Sequence, residues 1–394
     1  MGIFGGFSYQ PAYGIFGGIK MKDTFLEELR ATDTKGLSEF SARAPIERAR
    51  AVLARGHADT LEDFAALISP NARPLLEDMA RLSAGITKKY FGMNVRMFAP
   101  LYVSNQCVNN CVYCGFAIRN SIERKTLSFD EVRQEVAAIY DLGFRNILLV
   151  ASENPKLVSS GYMDECIKIA REKMPDVSIE IAPSSVEDYR RYVASGCEGL
   201  TVFQETYDEQ IYPDLHPSGP KHDFKWRLAT PERGIEAGMR IVGLGALLGI
   251  CDWRRDIISM ALHAQYLTRK AWRTKISVSL PRMRPSAGGF KVLPENIPTD
   301  ADIVQIMCAL RIFLNRLSIV VSTRESRKFR DGIMGLGVTQ MSAYSSTRPG
   351  GYAHPSRDGE QFCINDDRTP AEFASALRAK GLCPVWKDFD SAFA

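Results

Sequence analysis

The segment PLYVSNQCVNNCVYCGF, residues 100–116, determines how the chain is interpreted, because an apolar strand runs directly into a loop of cysteines. Cys107, Cys111 and Cys114 follow a Cys-x3-Cys-x2-Cys spacing. Three thiolates so close together fit a compact iron–sulfur cubane, in which one iron keeps no protein ligand. A structural zinc site needs four closed ligands, and no fourth cysteine or histidine lies nearby. The alternatives are a zinc site with a distant ligand and a chance grouping of cysteines.

The sequence around this loop has the periodicity of a parallel α/β barrel. From Val95 onward, short apolar runs alternate with amphipathic helical patterns. The predicted strands are Met97–Ser104, Asn146–Ser152, Ser178–Pro183, Gly199–Glu205, Arg240–Leu248, Ile276–Leu280, Ser318–Thr323 and Thr339–Ala343. Strands that alternate with helices in this number predict a TIM-like (β/α)8 barrel, with chemistry at the C-terminal ends of the strands. An open doubly wound sheet is the alternative.

The pattern divides the chain into four regions. Residues 1–22 repeat GIFGG and are predicted to be a flexible tail. Residues 23–94 form a helical N-terminal region, because their apolar side chains recur three or four positions apart. Residues 95–344 contain the barrel. Residues 345–394 begin as an irregular stretch rich in glycine and proline, and we expect this C-terminal segment to close the barrel mouth.

The composition argues against several classes of function. The 394 residues are 45% hydrophobic, which is enough for a large buried core. The net charge of +4 is scattered among acids without a basic block, which argues against nucleic acid as a partner. No apolar run reaches the length of a membrane span. The nine cysteines are mostly isolated and no signal peptide precedes them, which argues against disulfides and predicts a cytoplasmic protein.

The cysteine loop, with Tyr113 and the ending CGF, is identified as the motif of the radical S-adenosylmethionine superfamily. Other stretches extend the resemblance: ERKTLSFDE, FQETYDE, HDFKWRLATPER, GLGALLG, SVSLPRMRP, STRES, FRDGI, RPGGY, QFCINDDR and PVWKDFDS. From about Pro100 to Ser391, the chain resembles the tyrosine lyases of bacterial thiazole biosynthesis, the 2-iminoacetate synthase family.

This resemblance implies a reaction, its cofactors and its partners. Such enzymes use one 4Fe–4S cluster and S-adenosylmethionine to cleave the Cα–Cβ bond of L-tyrosine into 2-iminoacetate and 4-cresol. The 5′-deoxyadenosyl radical abstracts hydrogen from the substrate amine, which must be unprotonated and held still. The implied protein partners are a thiazole synthase that consumes the imine and an electron donor of the flavodoxin or ferredoxin type.

Three residues are implied to hold the substrate. Arg324, in STRES after the seventh strand, matches an arginine that binds the substrate carboxylate, a task suited to a bidentate guanidinium. Ser342 matches a serine that assists it, and Tyr102 matches a tyrosine that hydrogen-bonds the substrate. The alternatives are a salt bridge between Arg324 and Glu325, and ordinary buried polar roles for the other two.

Contacts with S-adenosylmethionine are implied for a further set of residues. They are Tyr113, Phe116, Glu153, Glu205 and Arg227. Glu153 occupies the position that binds the cofactor's amino group in relatives, but Ala151 and Ser152 stand before it where the family has glycines. The alternatives are a surface acid for Glu205 and a helix salt bridge for Arg227.

Three other functions remain open at this stage. A tryptophan lyase of the same family is one, because the shape of the pocket decides which aromatic ring is bound. A tyrosine-cleaving hydrogenase maturase is another, but it carries a second cluster on a C-terminal Cys-x2-Cys…Cys pattern, and the tail here offers only Cys363 and Cys383. An iron–sulfur electron carrier is the non-enzyme alternative, and it would need a cluster ligated entirely by protein.

Overall fold

The computed structural model describes residues 22–159, 161–284, 289–355 and 360–387. The tail predicted for residues 1–22 lies outside these ranges except for Lys22. Nine strands form one sheet: β1 Asn94–Ser104, β2 Asn146–Ala151, β3 Asp176–Glu180, β4 Gly199–Glu205, β5 Ile241–Ala246, β6 Lys275–Ser279, β7 Ser318–Val321, β8 Gln340–Ser342 and β9 Cys383–Val385.

The first eight strands close into a parallel barrel. Each strand from β2 to β8 pairs with its neighbour in chain order, and β1 pairs with both β2 and β8. The register is fixed at the seam, where Ala99 is paired with Ile147 and Arg96 with Gln340. Closure excludes an open doubly wound sheet and confirms the (β/α)8 fold.

The ninth strand was not predicted. β9 pairs in parallel with the first residues of β1, where Asn94 is opposite Cys383 and Arg96 opposite Val385. The next residue, Trp386, accepts hydrogen bonds at its carbonyl from the backbone N–H of Arg145 and the amide of Asn146. The end of the described chain is therefore fastened to the N-terminal side of the barrel, opposite the strand ends that carry chemistry.

Helices connect the strands and precede the barrel. In chain order they are α1 Phe25–Ala31, α2 Thr34–Arg43, α3 Ile46–Arg55, α4 Leu61–Leu67, α5 Leu76–Phe91, α6 Phe129–Asp141, α7 Pro155–Ser159, α8 Tyr162–Arg171, α9 Val186–Ala194, α10 Tyr212–Leu215, α11 Phe224–Leu228, α12 Thr230–Glu236, α13 Trp253–Lys270, α14 Asp300–Phe313, α15 Arg327–Ile333 and α16 Pro370–Ala379. Ser128 and Ser185 form capping boxes at the starts of α6 and α9. None of these helices is long and apolar enough to cross a membrane.

The five helices before β1 pack on the outside of the barrel. α5 lies along α14 and α2 lies along α13. α1 also contacts α13, where Phe25 stacks on His263 with ring centroids 3.7 Å apart, and both side chains are buried. The division into tail, helical region, barrel and closing segment stays a prediction.

A buried ionic network fastens Asp366 and Arg368, which follow β8, to the barrel mouth. Arg330, on α15, donates hydrogen bonds to the Asp366 carboxylate and to the carbonyl of Ser342 at the end of β8. Arg368 donates to Asp366 at 2.6 Å and to Asp331 at 2.8 Å. Arg330 and Asp366 are almost completely buried, so each depends on the other for compensation of its charge.

Replacing Asp366 by alanine is expected to destabilise the protein by about 3–5 kcal/mol, because the variant keeps buried guanidinium groups without their shared carboxylate. The loss should appear as a lower midpoint of thermal unfolding, followed by circular dichroism. Arg327→Ala is the matched control, because Arg327 lies on α15 but is exposed. Equal midpoints for the two variants would contradict the role given to the network.

Candidate active site

Two adjoining cavities open at the C-terminal ends of the strands. The barrel cavity, about 190 Å³, is lined by Tyr102, Arg324 and Ser342 among others. The cysteine cavity, about 100 Å³, is lined by Cys107, Cys111 and Cys114 among others. The side chains shared by both walls are Tyr102, Cys114, Val150, Glu180, Phe203, Glu205, Lys221 and Gln361. A molecule in one cavity therefore meets the contents of the other.

The cysteine loop is held by hydrogen bonds from outside it. Asn109 donates to the Glu153 carboxylate at 2.8 Å and accepts from the backbone N–H of Lys221 at 2.9 Å. Arg124 donates to four backbone carbonyls, those of Asn105, Phe116, Ala117 and Asn120. These bonds fix the course of the loop independently of any ligand.

The chemistry of the three cysteines fits an iron–sulfur cluster. In the part of the chain that the structure describes, no three Cys, His, Asp or Glu side chains form a ready-made metal site. Burial raises the pKa of the Cys107 thiol and raises the pKa of Cys111 to about 12. Iron offsets the charge of a buried thiolate, so a cluster would draw together thiols that already border one cavity.

Glu153 and Arg227, predicted as separate cofactor contacts, form an ion pair with each other. Both are buried in the wall of the cysteine cavity. Burial opposes ionisation of Glu153, but Arg227 and Lys221 outweigh it and hold the pKa of this carboxyl below its usual value. The pair therefore presents ionised hydrogen-bonding groups beside the cysteines.

Glu205, also predicted as a cofactor contact, ends β4 in an unusual backbone conformation. Its φ is +72° and a register shift precedes it, so the strand is bulged at this residue. The carboxylate accepts a hydrogen bond from the Lys221 ammonium at 2.6 Å. Burial and Arg227 disfavour the charge on Lys221, but the groups that favour it, Glu205 first and then Cys111 and Glu153, together keep its pKa above the usual value.

The two aromatic residues of the cysteine loop have separate surroundings. The Tyr113 hydroxyl lies 2.7 Å from His216 Nε2, and His216 Nδ1 lies 2.8 Å from the carbonyl of Tyr212. Burial, with Lys221 nearby, lowers the pKa of His216 to about 2. The neutral ring therefore accepts from Tyr113 and donates to Tyr212. Phe116 meets the edge of Tyr102 in the wall of the cysteine cavity.

Arg324 lies in the wall of the barrel cavity with its guanidinium stacked 3.6 Å from the centroid of the Phe362 ring. It makes no ion pair with any residue in the described ranges. Glu325 pairs with Arg282 and Arg284, so the alternative of an Arg324–Glu325 salt bridge does not hold. Burial lowers the pKa of Arg324, and a carboxylate in the cavity would restore its electrostatic balance.

Ser342 and Tyr102 stand in the same wall as Arg324. The Ser342 hydroxyl accepts from the backbone N–H of Thr323 at 3.0 Å, which leaves its proton available to the cavity. The Tyr102 hydroxyl donates to Gln361 at 2.8 Å. Gln361, whose amide nitrogen lies 3.8 Å from Cys114 Sγ, was missed because it lies in the irregular stretch after β8.

Glu180, the last residue of β3, was also missed. It lines both cavities and forms neither a hydrogen bond nor an ion pair with the described residues. Burial, reinforced by Glu205, raises the pKa of its carboxyl to about 7. The signal was present in the sequence, because an acid interrupts the apolar run VSIEIA at a position that faces the barrel interior.

Taken together, these side chains suit a small zwitterion. The Arg324 guanidinium, which donates a hydrogen bond to the carbonyl of Arg282 at 3.4 Å but forms no ion pair with the described residues, and the Glu180 carboxyl border one cavity. Each charge favours the ionised state of the other. Apolar side chains of Phe98, Leu148, Phe203, Leu247 and Val321 cover much of the remaining wall. The cavity can therefore hold the charged groups of an amino acid and an apolar side chain beside the cysteines.

Comparison with protein families locates the same regions. The family model described as "Radical SAM superfamily" matches residues 101–261, which run from β1 into α13. The description "Biotin and Thiamin Synthesis associated domain" matches residues 279–383, which include Arg324, Ser342 and Gln361.

Individual relatives resemble the chain over most of its length. It is 42% identical to 2-iminoacetate synthase of Escherichia coli (strain K12), over 84% of this chain and 88% of the relative. The X-ray structure of the FeFe-hydrogenase maturase HydG from Carboxydothermus hydrogenoformans superposes with a TM-score of 0.84 at 32% identity, covering 92% of this chain and 85% of that one. Methylornithine synthase superposes with a TM-score of 0.69 at 20% identity, covering 86% of this chain and 97% of that one, and shares the fold.

Proposed function

The chain belongs to the 2-iminoacetate synthase family of radical S-adenosylmethionine enzymes, and on this premise we propose that it cleaves the Cα–Cβ bond of L-tyrosine. The products of this carbon–carbon lyase are 2-iminoacetate and 4-cresol, with methionine and 5′-deoxyadenosine from the cofactor. One observation carries the proposal: Arg324 presents an unpaired guanidinium to a cavity that Cys114 also lines.

The enzyme uses a 4Fe–4S cluster and S-adenosylmethionine. Cys107, Cys111 and Cys114 are the residues that would hold the cluster. When bound, the cluster and S-adenosylmethionine supply an electron and the organic radical that abstracts hydrogen. The protein contributes the rest: it excludes water, because the two cavities are largely enclosed by buried side chains, and it orients both molecules in neighbouring spaces.

For the substrate, we assign the carboxylate to Arg324 and Ser342. A bidentate guanidinium fixes both oxygens in a plane, and the free hydroxyl proton of Ser342 supplies another donor. The Phe362 ring beneath Arg324 keeps the guanidinium plane from turning. Tyr102 lies between the cavities and is placed to donate to the substrate once its bond with Gln361 opens.

For S-adenosylmethionine, we assign the polar contacts to the wall of the cysteine cavity. Glu153 suits the amino group and Arg227 the carboxylate, and each keeps the other charged until the cofactor binds. Glu205 suits the ribose hydroxyls, because its strained backbone aims a carboxylate into the cavity. Tyr113 and Phe116, on the cysteine loop, suit the adenine.

The proposed partners follow from the chemistry of the product. A free imine hydrolyses in water, so we infer that 2-iminoacetate passes to a thiazole synthase in thiamine biosynthesis. A flavodoxin- or ferredoxin-type protein would reduce the cluster. All nine cysteines are free, which supports a reducing cytoplasmic location.

The proposal is tested by the aromatic product of the anaerobically reconstituted enzyme. With L-tyrosine, we expect 4-cresol in step with 5′-deoxyadenosine, and with L-tryptophan we expect no indole product. A sample without cluster reconstitution is the control and should yield neither. An indole product without 4-cresol would assign the chain to the tryptophan lyases. A reduced cluster whose spectrum does not respond to S-adenosylmethionine would favour an electron carrier.

A further inference from the structure

One half-buried acid of the cavity walls has no role in the functions proposed for the other residues. Glu180 ends β3, and its carboxyl faces both cavities without a hydrogen bond or ion pair to any described residue. Other acids of these walls are engaged: Glu153 by Arg227, Glu205 by Lys221 and Glu325 by Arg282. The carboxyl of Glu180 is half-buried, lines both cavities and has no partner among the described residues, so it is available to a polar group of a bound ligand.

The barrel sets the position of Glu180 relative to the carboxylate anchor. β3 and β7 are four strands apart in a ring of eight, so Glu180 and Arg324 come from opposite sides of the mouth. They form no ion pair with each other, but their charges interact across the barrel cavity. Tyr102, from β1, lines the space they share. An α-amino acid whose carboxylate is bound by Arg324 then has its ammonium group in a cavity that Glu180 also lines.

The proposed reaction requires the ammonium group to lose a proton. An α-ammonium is mostly protonated at neutral pH, whereas hydrogen abstraction from nitrogen needs the neutral amine. Arg324 and Lys221 are cations and cannot accept the proton. Tyr102 cannot accept it at neutral pH, because burial raises the pKa of its hydroxyl far above the usual value. Glu153 and Glu205 are already neutralised by cations.

We propose that Glu180 receives the α-ammonium group of L-tyrosine and accepts one of its protons. The step breaks an N–H bond and forms an O–H bond at the carboxyl, and no electron is gained or lost. It leaves a neutral amine and a neutral acid facing each other in a buried space. The inference rests on the proposed tyrosine lyase function and names the group that prepares the substrate for it.

The charged surroundings of Glu180 suit this transfer. Burial and the charge of Glu205 favour the protonated carboxyl, whereas Arg227, Arg324 and Lys221 favour the ionised one. The result is a pKa of about 7, near the value that a general base needs at neutral pH. Below this pH Glu180 is protonated before the substrate arrives, so kcat/KM for L-tyrosine is expected to fall as the pH decreases through 7.

The test compares Glu180→Gln with the wild-type enzyme. At pH 7 we expect kcat for 4-cresol to fall by about 10²-fold, because an amide cannot accept the proton. The difference in activity between the variant and the wild type should become smaller at higher pH, because the substrate amine then loses its proton to solvent. The activity of the variant should therefore begin to fall at a higher pH than that of the wild type, which falls below pH 7. KM for S-adenosylmethionine should not change. Glu187→Gln is the matched control, because Glu187 is exposed at the start of α9.

Two further measurements separate proton transfer from a structural role. An amine-free analogue, 3-(4-hydroxyphenyl)propanoate, should inhibit the wild type and Glu180→Gln equally, because it has nothing to give to Glu180. Glu180→Asp keeps a carboxyl but withdraws it, so its kcat should fall while the decline below pH 7 remains. This variant also decides the matter if the glutamine variant does not fold.

Three results would overturn the inference. They are a Glu180→Gln enzyme with the wild-type pH profile, equal weakening of tyrosine and of the amine-free analogue, and a Glu180→Asp enzyme without the decline below pH 7. A raised KM for S-adenosylmethionine in Glu180→Gln would likewise reassign Glu180 to the cofactor. Failure of the proposed function is seen separately, as a wild-type enzyme that makes no 4-cresol.

Discussion

Alanine at Cys107, Cys111 or Cys114 is expected to abolish both 4-cresol formation and cleavage of S-adenosylmethionine. The three thiols border one cavity, and they are the only cysteines among the described residues that line it. A two-thiolate remnant cannot hold a cubane. Iron and sulfide analysis of the reconstituted variants should show almost none of the roughly four irons per chain that one 4Fe–4S cluster gives.

The chain supplies its own controls for this loss. Cys363 and Cys383 are exposed and free, outside the wall of the cysteine cavity. Alanine at either position should leave the iron content and the reduced cluster's electron paramagnetic resonance signal unchanged. Full iron content in a Cys111→Ala variant would exclude the assigned ligands. About eight irons per wild-type chain would indicate a second cluster and revive the maturase interpretation.

Arg324→Ala is expected to lower kcat/KM for L-tyrosine by at least about 10³-fold. Loss of one partner of a buried charge pair costs about 2–5 kcal/mol, and the reactive amine then loses its orientation as well. The charged residues assigned to S-adenosylmethionine all line the cysteine cavity, which Arg324 does not, so slow cleavage of the cofactor without 4-cresol should persist. The two products are measured together by chromatography of anaerobic reactions.

Substitutions that keep the charge or avoid the cavity sharpen this experiment. Arg324→Lys keeps a cation but loses bidentate geometry and stacking on Phe362, so an intermediate loss is expected. Arg316→Ala should behave as the wild type, because Arg316 is exposed. A wild-type yield of 4-cresol from Arg324→Ala would remove Arg324 from the substrate site.

Much of the barrel could be predicted from sequence because parallel strands and amphipathic helices leave distinct periodicities. The eight predicted strands all exist, with ends displaced by a few residues, and Ser128 and Ser185 mark helix starts as expected. β9 escaped prediction because three residues that include Pro384 have no strand pattern of their own. Its partner β1, far away in sequence, makes it a strand.

Less of the site than of the fold could be predicted from the sequence. Spacing alone identified the cysteines, and the family resemblance identified residues that do line the two cavities. The ion pairs could not be predicted, because Glu153 meets Arg227 and Glu205 meets Lys221 only where the ends of β2 and β4 approach the connection between β4 and β5. Gln361 and Phe362 come from an irregular stretch, where no periodicity assigns a direction to a side chain. The sequence pattern places Glu180 in the middle of the predicted strand Ser178–Pro183, whereas it is the last residue of β3.

The contacts of the C-terminal segment also affect the stage of synthesis at which the cluster can be inserted into a closed site. The cysteine loop leaves the ribosome long before Gln361 and β9 do. Gln361 lies between Tyr102 and Cys114 at the barrel mouth, and β9 pairs with β1 at the opposite end of the barrel. Translation adds roughly 5–20 residues per second, so this interval is on the order of tens of seconds. Throughout it the nascent barrel has cluster ligands but an incomplete wall. Cluster insertion before chain release would thus expose the iron to oxygen, whereas insertion afterwards meets a finished compartment.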